Sequence, residues 1–305
     1  MDMNTTVRRY EHPTDYSRVG QFLIDTYRPG DQHDNWLQPR WEYMHYHPLF
    51  DESLAKAFSN TGVWESNGNI VAVAHFEHRP GRIFFQVHPD FRHLKPEMLE
   101  YAETYLSVED SDRRRKIEIW VNDFDITFRS IIQERGYRLV EGFKDFWSIL
   151  EIRNPFPAIK LPDGFRLQSL ADENDLNKLH RVLHRGFDHP GEPPVNELAG
   201  RERMQSAPNY RKGLNIVAVA PDGAYASYCG MWLDHANRVA YVEPVCTYPD
   251  YRRRGLGTAV VLEGIRRCGA EGATIATVGS DQPFYMSMGF KKFFDINLWA
   301  REWKI

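Results

Sequence analysis

The sequence predicts an α/β (α+β) fold built from two tandem copies of one unit, and three observations carry that prediction. Echoes recur in the same order at nearly constant offset. Pro89-Asp90-Phe91-Arg92-His93 answers Pro249-Asp250-Tyr251-Arg252-Arg253 (249 − 89 = 160), Asn67-Gly68 answers Asp222-Gly223 (222 − 67 = 155), and Arg135-Gly136-Tyr137 answers Met288-Gly289-Phe290 (288 − 135 = 153). Repeated self-similarity of this kind marks a duplicated unit. Within each half, alternating apolar runs give way to helix-spaced ones in the same order. Between the halves, Pro155, Pro157 and Pro162 mark a linker. The expected organisation is a first domain over 1–152, a linker over 153–162 and a second domain over 163–305, which agrees with about two domains for 305 residues.

In chain order, the first copy opens with a strand near 6–10 and a helix from Thr14-Asp15, with Val19, Phe22, Leu23 and Ile24 on its apolar side. An aromatic and histidine-rich segment, 32–50, follows. His45 and His47 lie in it, but an i,i+2 pair with no nearby acidic partner does not make a metal site, and no metal is expected. Residues 62–65 and 69–78 read as a hairpin around Asn67-Gly68. Residues 82–88 form a further strand, and 95–106 a helix with Pro96 early, where a missing N–H is tolerated. Strand 116–121, helix 126–134 and closing strands over 137–151 complete the copy.

The second copy repeats the order. Strand 165–169 precedes a helix over about 173–186, and Ala171-Asp172-Glu173-Asn174-Asp175 supplies the capping chemistry. Acidic loop 188–194, helix 195–204, hairpin strands 214–220 and 224–233, and a long strand over 238–246 follow. After the next helix come strand 274–278, a short helix over 283–288, and strands 291–294 and 297–303.

Composition narrows the function. Apolar content of 42% with 13% aromatics is enough for sizeable cores, and a net charge of −4 with pI near 6.3 argues against a nucleic-acid partner. No run approaches the roughly 18 apolar residues of a membrane span, and residues 1–9 lack a signal-peptide core. A cytoplasmic protein with no membrane partner is therefore expected, as a monomer or homodimer. Cys229, Cys246 and Cys268 are odd in number and lack CxxC spacing, so neither a disulfide framework nor a zinc site is indicated.

Positive charge is concentrated in Tyr248-Pro249-Asp250-Tyr251-Arg252-Arg253-Arg254-Gly255-Leu256-Gly257-Thr258, between the long strand and the helix after it. A strand that ends in a basic, glycine-containing turn and opens into a helix presents consecutive N–H groups and the positive end of the helix dipole to an anion. An ordinary solvated basic turn is the alternative.

This turn, its setting, and Phe284-Tyr285-Met286-Ser287-Met288-Gly289-Phe290 together resemble the GNAT superfamily of acyl-CoA-dependent N-acetyltransferases over residues 160–305. The basic Gly-x-Gly turn resembles the family's pyrophosphate loop. Tyr285 lies four residues before Gly289-Phe290 and 28 after Gly257 (285 − 257), and matches the family's Tyr-x-x-x-Gly-Phe signature. The resemblance implies two GNAT-like domains, each a mixed, mostly antiparallel central sheet flanked by helices. It also implies acetyl-CoA as co-substrate, with no metal. Arg252, Arg253, Arg254, Gly255, Leu256, Gly257 and Thr258 would hold the diphosphate. The strand before the loop would splay from its neighbour and offer the pantetheine arm its backbone at Val245, Cys246, Thr247 and Tyr248. Tyr285 would protonate the leaving thiolate, and Glu243 is the candidate base, with Tyr241 on its face as long as Pro244 does not mark a bulge. A covalent acetyl-Cys246 intermediate is the less favoured alternative, because a cysteine on a buried strand usually serves as a small hydrophobe.

The family's loop between the first two helices borders the acceptor pocket. Here it carries Asp188, His189 and Glu192, which would favour a cationic amine; Asp234 and His235 are similarly placed. A small-molecule amine is expected ahead of a protein acceptor. In the first copy the 160 offset sets Lys95-Pro96-Glu97 against Gly255-Leu256-Gly257, and the 153 offset sets Ile132 against Tyr285. That copy is therefore expected to keep the fold without cofactor binding or catalysis, as tandem relatives such as mycothiol synthase do with a degenerate first half, and to serve structurally or as a wall of the acceptor site. The main expectation is direct acetyl transfer to a primary amine. The rivals are a non-catalytic acyl-CoA-binding or sensing module and a protein N-acetyltransferase.

Overall fold

The computed structural model describes residues 5–33 and 35–304. In the first half these form β1 (Thr5–Arg9), α1 (Thr14–Thr26), α2 (Gln38–Tyr46), α3 (Glu52–Phe58), β2 (Gly62–Ser66), β3 (Asn69–Phe76), β4 (Arg82–Val87), α4 (Lys95–Tyr105), β5 (Val108–Glu109), β6 (Arg114–Asn122), α5 (Ile126–Glu134) and β7 (Arg138–Glu151). The second half gives β8 (Arg166–Ser169), α6 (Leu176–Gly186), α7 (Leu198–Gln205), β9 (Ile216–Val219), β10 (Tyr225–Asp234), β11 (Val239–Thr247), α8 (Leu256–Ala270), β12 (Ile275–Val278), α9 (Pro283–Met286) and β13 (Lys291–Lys304). The two lists match element for element from the first strand onward, apart from α3 and the short β5, so the duplication read from the echoes is present in the backbone.

Local chemistry accounts for the element ends. Asp175 caps α6 by accepting from the amides of Asn177 and Lys178, each at 3.0 Å, and Asp125 caps α5 by accepting from Phe128 N–H at 3.1 Å. Asn67 and Gly68, with φ of 50° and 78°, close the β2–β3 hairpin in the turn geometry that two-residue connections favour. The residues 32–50 segment contains α2, and α3 follows it; neither was apparent in the sequence, because the apolar residues there are aromatic and irregularly spaced. The closing strands of each half are single long strands, β7 and β13, rather than pairs.

The chain forms two compact units. One comprises the described residues up to Met44, Leu49–Trp147 and those from Phe293 on; the other comprises His45–Pro48 and Ser148–Lys292. In the first unit β1, β2, β3 and β4 are antiparallel neighbours, β4 and β6 are parallel, and β13 pairs antiparallel with β6 from Ile296↔Asn122 to Lys304↔Arg114. In the second, β8 to β11 are antiparallel neighbours, β11 and β12 are parallel, and the end of β7 pairs antiparallel with β12, Ser148↔Val278 to Glu151↔Ile275. The division is thus interleaved along the chain, with no single cut at 153–162: the strand that ends each copy completes the sheet of the other unit.

In the second unit β10 is buried at every position. Leu256, Val260, Val261, Ile265 and Cys268 of α8 cover one face of the sheet against Ile216, Met231 and Val242. Leu179, Val182 and Leu183 of α6 cover the other against Val217, Tyr225 and Tyr228. Each such side chain contributes about 1.5–3 kcal/mol on burial. The two layers fix where the carboxyl end of β11 emerges.

Candidate functional site

The site is built where β11 outruns β12. Their parallel ladder runs Val239↔Ile275, Ala240↔Ala276 and Tyr241↔Thr277 and stops there, while β11 continues to Thr247 along β10. The pairing with β12 thus ends at Tyr241, and on that side β11 has no further ladder partner among the described residues. Tyr248 N–H donates to Ala226 O at 2.9 Å, on the β10 side. Because successive residues of a strand turn their N–H groups to opposite sides, Cys246 shares that side, while the amides of Val245 and Thr247 face the opening. This corrects the expectation for Cys246 and Tyr248: their amides are committed to β10, and only Val245 and Thr247 offer theirs outward. The Cys246 thiol is buried under α6, donates to Val182 O at 3.3 Å, and is pushed up to about 12 by burial. That geometry and protonation disfavour a nucleophile.

Pro244 does mark a bulge. The β10–β11 register passes from Val242↔Met231 directly to Val245↔Cys229, leaving Gly230 opposite both Glu243 and Pro244. Proline has no N–H to give to the ladder, so the extra residue falls there. The condition for placing Tyr241 and Glu243 on one face by alternation thus fails; Tyr241 is buried in the sheet, and Glu243 is half-buried at the bulge.

Tyr285 lies on α9 and is buried, its ring edge-on to Phe284 at 4.8 Å and to Phe290 at 5.8 Å between centroids. Burial moves its hydroxyl well above the ordinary tyrosine range, so it stays protonated at any working pH. Tyr285 and Cys229 belong to the same buried core cluster of the second unit.

The basic turn forms the other side. Gly255 adopts φ 82° as the residue before α8, a left-handed conformation that glycine takes without steric cost, and Arg253 adopts φ 64°. Gly255 O receives the first helical bond, from Ala259 N–H at 3.0 Å, so the amides of Leu256, Gly257 and Thr258 have no carbonyl of their own helix to meet. A Cβ on Gly257 would stand 3.2 Å from both Thr247 Oγ1 and Phe284 Cζ, so a larger residue here would crowd these two side chains. The Leu256 side chain belongs to the core, leaving only its amide for the cradle.

The three arginines part ways. Arg253 is exposed. Arg254 donates to Asp250 O at 3.3 Å, with its guanidinium 5.7 Å from the Tyr251 ring centroid. Arg252 turns from the cradle and donates to Asp188 Oδ1 at 2.7 Å and Gly186 O at 3.0 Å. Asp188 is therefore ion-paired, and so is Glu192, with Arg181 at 2.9 Å; His189 lies against His184, 5.1 Å between centroids. These loop carboxylates are already matched by cations, which weakens their expected role in drawing a cationic amine.

The first copy shows the same place without the chemistry. Its helix-preceding residue is Leu94, so the structural offset is 255 − 94 = 161, one more than the echo gave, and Lys95, Pro96 and Glu97 stand against Leu256, Gly257 and Thr258. Lys95 is buried and ion-paired with Asp125, and Glu97 accepts from the Trp64 indole N–H at 2.8 Å. Ile132 is fully buried.

Residues 178–290 match the family described as "Acetyltransferase (GNAT) family". Among solved structures, a GCN5-related N-acetyltransferase from Sphaerobacter thermophilus is similar at 16% identity and TM-score 0.64, covering 100% of this chain and 98% of that one. A tandem GNAT protein from the clavulanic acid biosynthesis pathway is similar at 14% identity and TM-score 0.63, covering 98% of each chain. A GNAT-family acetyltransferase from Colwellia psychrerythraea gives 11% and 0.58 over 97% of this chain and 99% of that one. A search of the curated proteins finds no match.

Proposed function

We propose that this tandem GNAT-superfamily protein transfers an acetyl group from acetyl-CoA to a primary amine at the open end of β11 in its second unit, by direct attack. What supports the reading is the edge of β11 that β12 leaves open, with the amides of Val245 and Thr247 turned toward it, Glu243 at its bulge, and Phe284, the neighbour of Tyr285, standing with Thr247 against Gly257.

Acetyl-CoA supplies the acyl group as a thioester. The amides of Leu256, Gly257 and Thr258 with the Arg253 and Arg254 side chains would hold its diphosphate, and the edge amides of Val245 and Thr247 its arm. As the amine nitrogen bonds to the acetyl carbon, one of those amides would donate to the carbonyl oxygen as it gains charge. Glu243, directly or through water, would take the proton the nitrogen loses. When the carbon–sulfur bond breaks, Tyr285 Oη would give its proton to the thiolate and be reprotonated from solvent. The products are an acetamide and the free thiol, with proton balance kept.

The first unit would neither bind the cofactor in this way nor catalyse, since Pro96 removes an amide and Leu94 replaces the left-handed glycine; a structural or wall-forming part is what remains for it. A small-molecule amine is proposed ahead of a protein lysine or N-terminus. The deciding experiment is a panel of amines with acetyl-CoA, following thiol release. Turnover with one class identifies the acceptor; acetyl-CoA binding with no turnover across small amines, peptides and proteins favours a sensing module instead.

A further inference from the structure

The segment after α6 folds back along that helix and is fastened to it residue by residue. Arg185 Nη1 donates to His189 O at 2.9 Å, and His184 Nε2 meets Pro190 O at 3.1 Å. Arg181 Nη2 pairs with Glu192 at 2.9 Å, and His180 Nε2 meets Pro194 O at 3.1 Å. Positions 180, 181, 184 and 185 form one stripe of a helix, and their partners run 194, 192, 190, 189, antiparallel to it. His180 also accepts at Nδ1 from Arg201 Nε at 3.3 Å, so its proton sits on Nε2 and the fastening continues to α7.

At the start of this segment, Arg252 joins three elements. Its Nη2 donates to Gly186 O at 3.0 Å, at the end of α6, and to Asp188 Oδ1 at 2.7 Å; its Nε donates to Thr247 O at 3.2 Å, at the end of β11. A planar guanidinium engaged along three directions is held where a lysine would not be. Asp188 meets it from a left-handed conformation, φ 61°.

We propose that Arg252 is a positioning residue: with Asp188 it clasps segment 187–197 to the last residue of β11, and it takes no direct part in holding phosphate. Resting on the acetyl-transfer reading, this ties the acceptor side of the site to the residue whose amide faces the donor. Of the three loop arginines, Arg253 and Arg254 then serve the anion, while Arg252 sets the distance between donor edge and acceptor loop.

The test uses the full chain with acetyl-CoA as the probe, comparing Arg252→Gln, Arg252→Lys, Asp188→Asn and Arg253→Gln by hydrogen exchange and by calorimetry. Arg252→Gln and Asp188→Asn should each speed exchange across 187–197, by up to about fivefold. Both should keep the acetyl-CoA dissociation constant within about twofold, with Arg252→Lys partly restoring protection. A tenfold weaker dissociation constant for Arg252→Gln alone overturns the clasp and makes Arg252 a phosphate ligand. Unchanged exchange in both variants overturns it too. If Arg253→Gln binds normally while exchange rises in the other two, the clasp stands and the phosphate cradle falls.

Discussion

A Cβ placed on Gly230 would stand 2.5 Å from the carbonyl oxygen of Glu243. The bulge that presents Glu243 therefore depends on a strand partner with no side chain. That same carbonyl accepts the Trp232 indole N–H at 3.1 Å, so the main chain of Glu243 is held from β10 by contact and by hydrogen bond.

Gly230→Ala is accordingly expected to cost about 1–3 kcal/mol by overpacking, measured as a lowered denaturant midpoint. Turnover should fall further than the folded fraction does, because the bulge must shift and take Glu243 with it.

Tyr285→Phe should leave the fold and acetyl-CoA binding intact, since the ring between Phe284 and Phe290 is kept. It should lower kcat by about 10²–10⁴, the usual span for a lost general acid. Steady-state thiol release beside a melting curve checks both halves; unchanged kcat removes Tyr285 as the acid.

Glu243→Gln should slow the reaction and alter the pH–rate profile, with melting temperature unchanged. A profile identical to that of the parent protein places the base elsewhere.

The cradle is best probed away from Gly257, whose replacement strains the contacts with Thr247 and Phe284. Arg253→Gln should weaken acetyl-CoA binding about tenfold at low salt. Arg254→Gln should do less, because that guanidinium is partly engaged by Asp250 O and Tyr251. Calorimetry at two ionic strengths measures this, and the difference should shrink as salt rises.

Stability should fall in mild acid. His75 in the first unit donates from Nδ1 to Phe76 O at 3.0 Å and accepts at Nε2 from Gln86 at 2.9 Å; burial takes it from 6.5 down to about 4. The unfolded chain thus binds the proton first. This contribution is fully present above about pH 6.5 and is lost as pH falls toward 4, amounting to about 3 kcal/mol. His180, lowered mainly by burial, acts in the same direction. Glu65, held below the usual carboxylate range by Arg8, loses its part only at more acid pH. Urea midpoints from pH 7 to 4.5 should show the slope, and His75→Gln should flatten it.

Much of the site was legible because its chemistry is local in sequence. Gly255 is set by the turn that starts α8, and Tyr285 by its short spacing to Gly289-Phe290. The capping carboxylates announce α5 and α6 for the same reason. What the sequence could not show is long-range: the bulge at Pro244 is set only once β10 is aligned with β11, and two of the partners of Arg252, Asp188 and Gly186, lie 64 and 66 residues away.

By itself the sequence determined the duplicated α/β unit, most of its elements, the position of the basic glycine turn before α8 and the absence of that turn's glycines from the first copy. These follow from periodicity and from residues that act within a few positions of themselves. Tertiary structure alone decided that the closing strands complete each other's sheets, that Pro244 falls in a bulge against Gly230, that the amides of Val245 and Thr247 face the opening, and that Arg252 pairs with Asp188. Strand register and ion pairing choose among partners far apart in the chain, and that choice is made by packing.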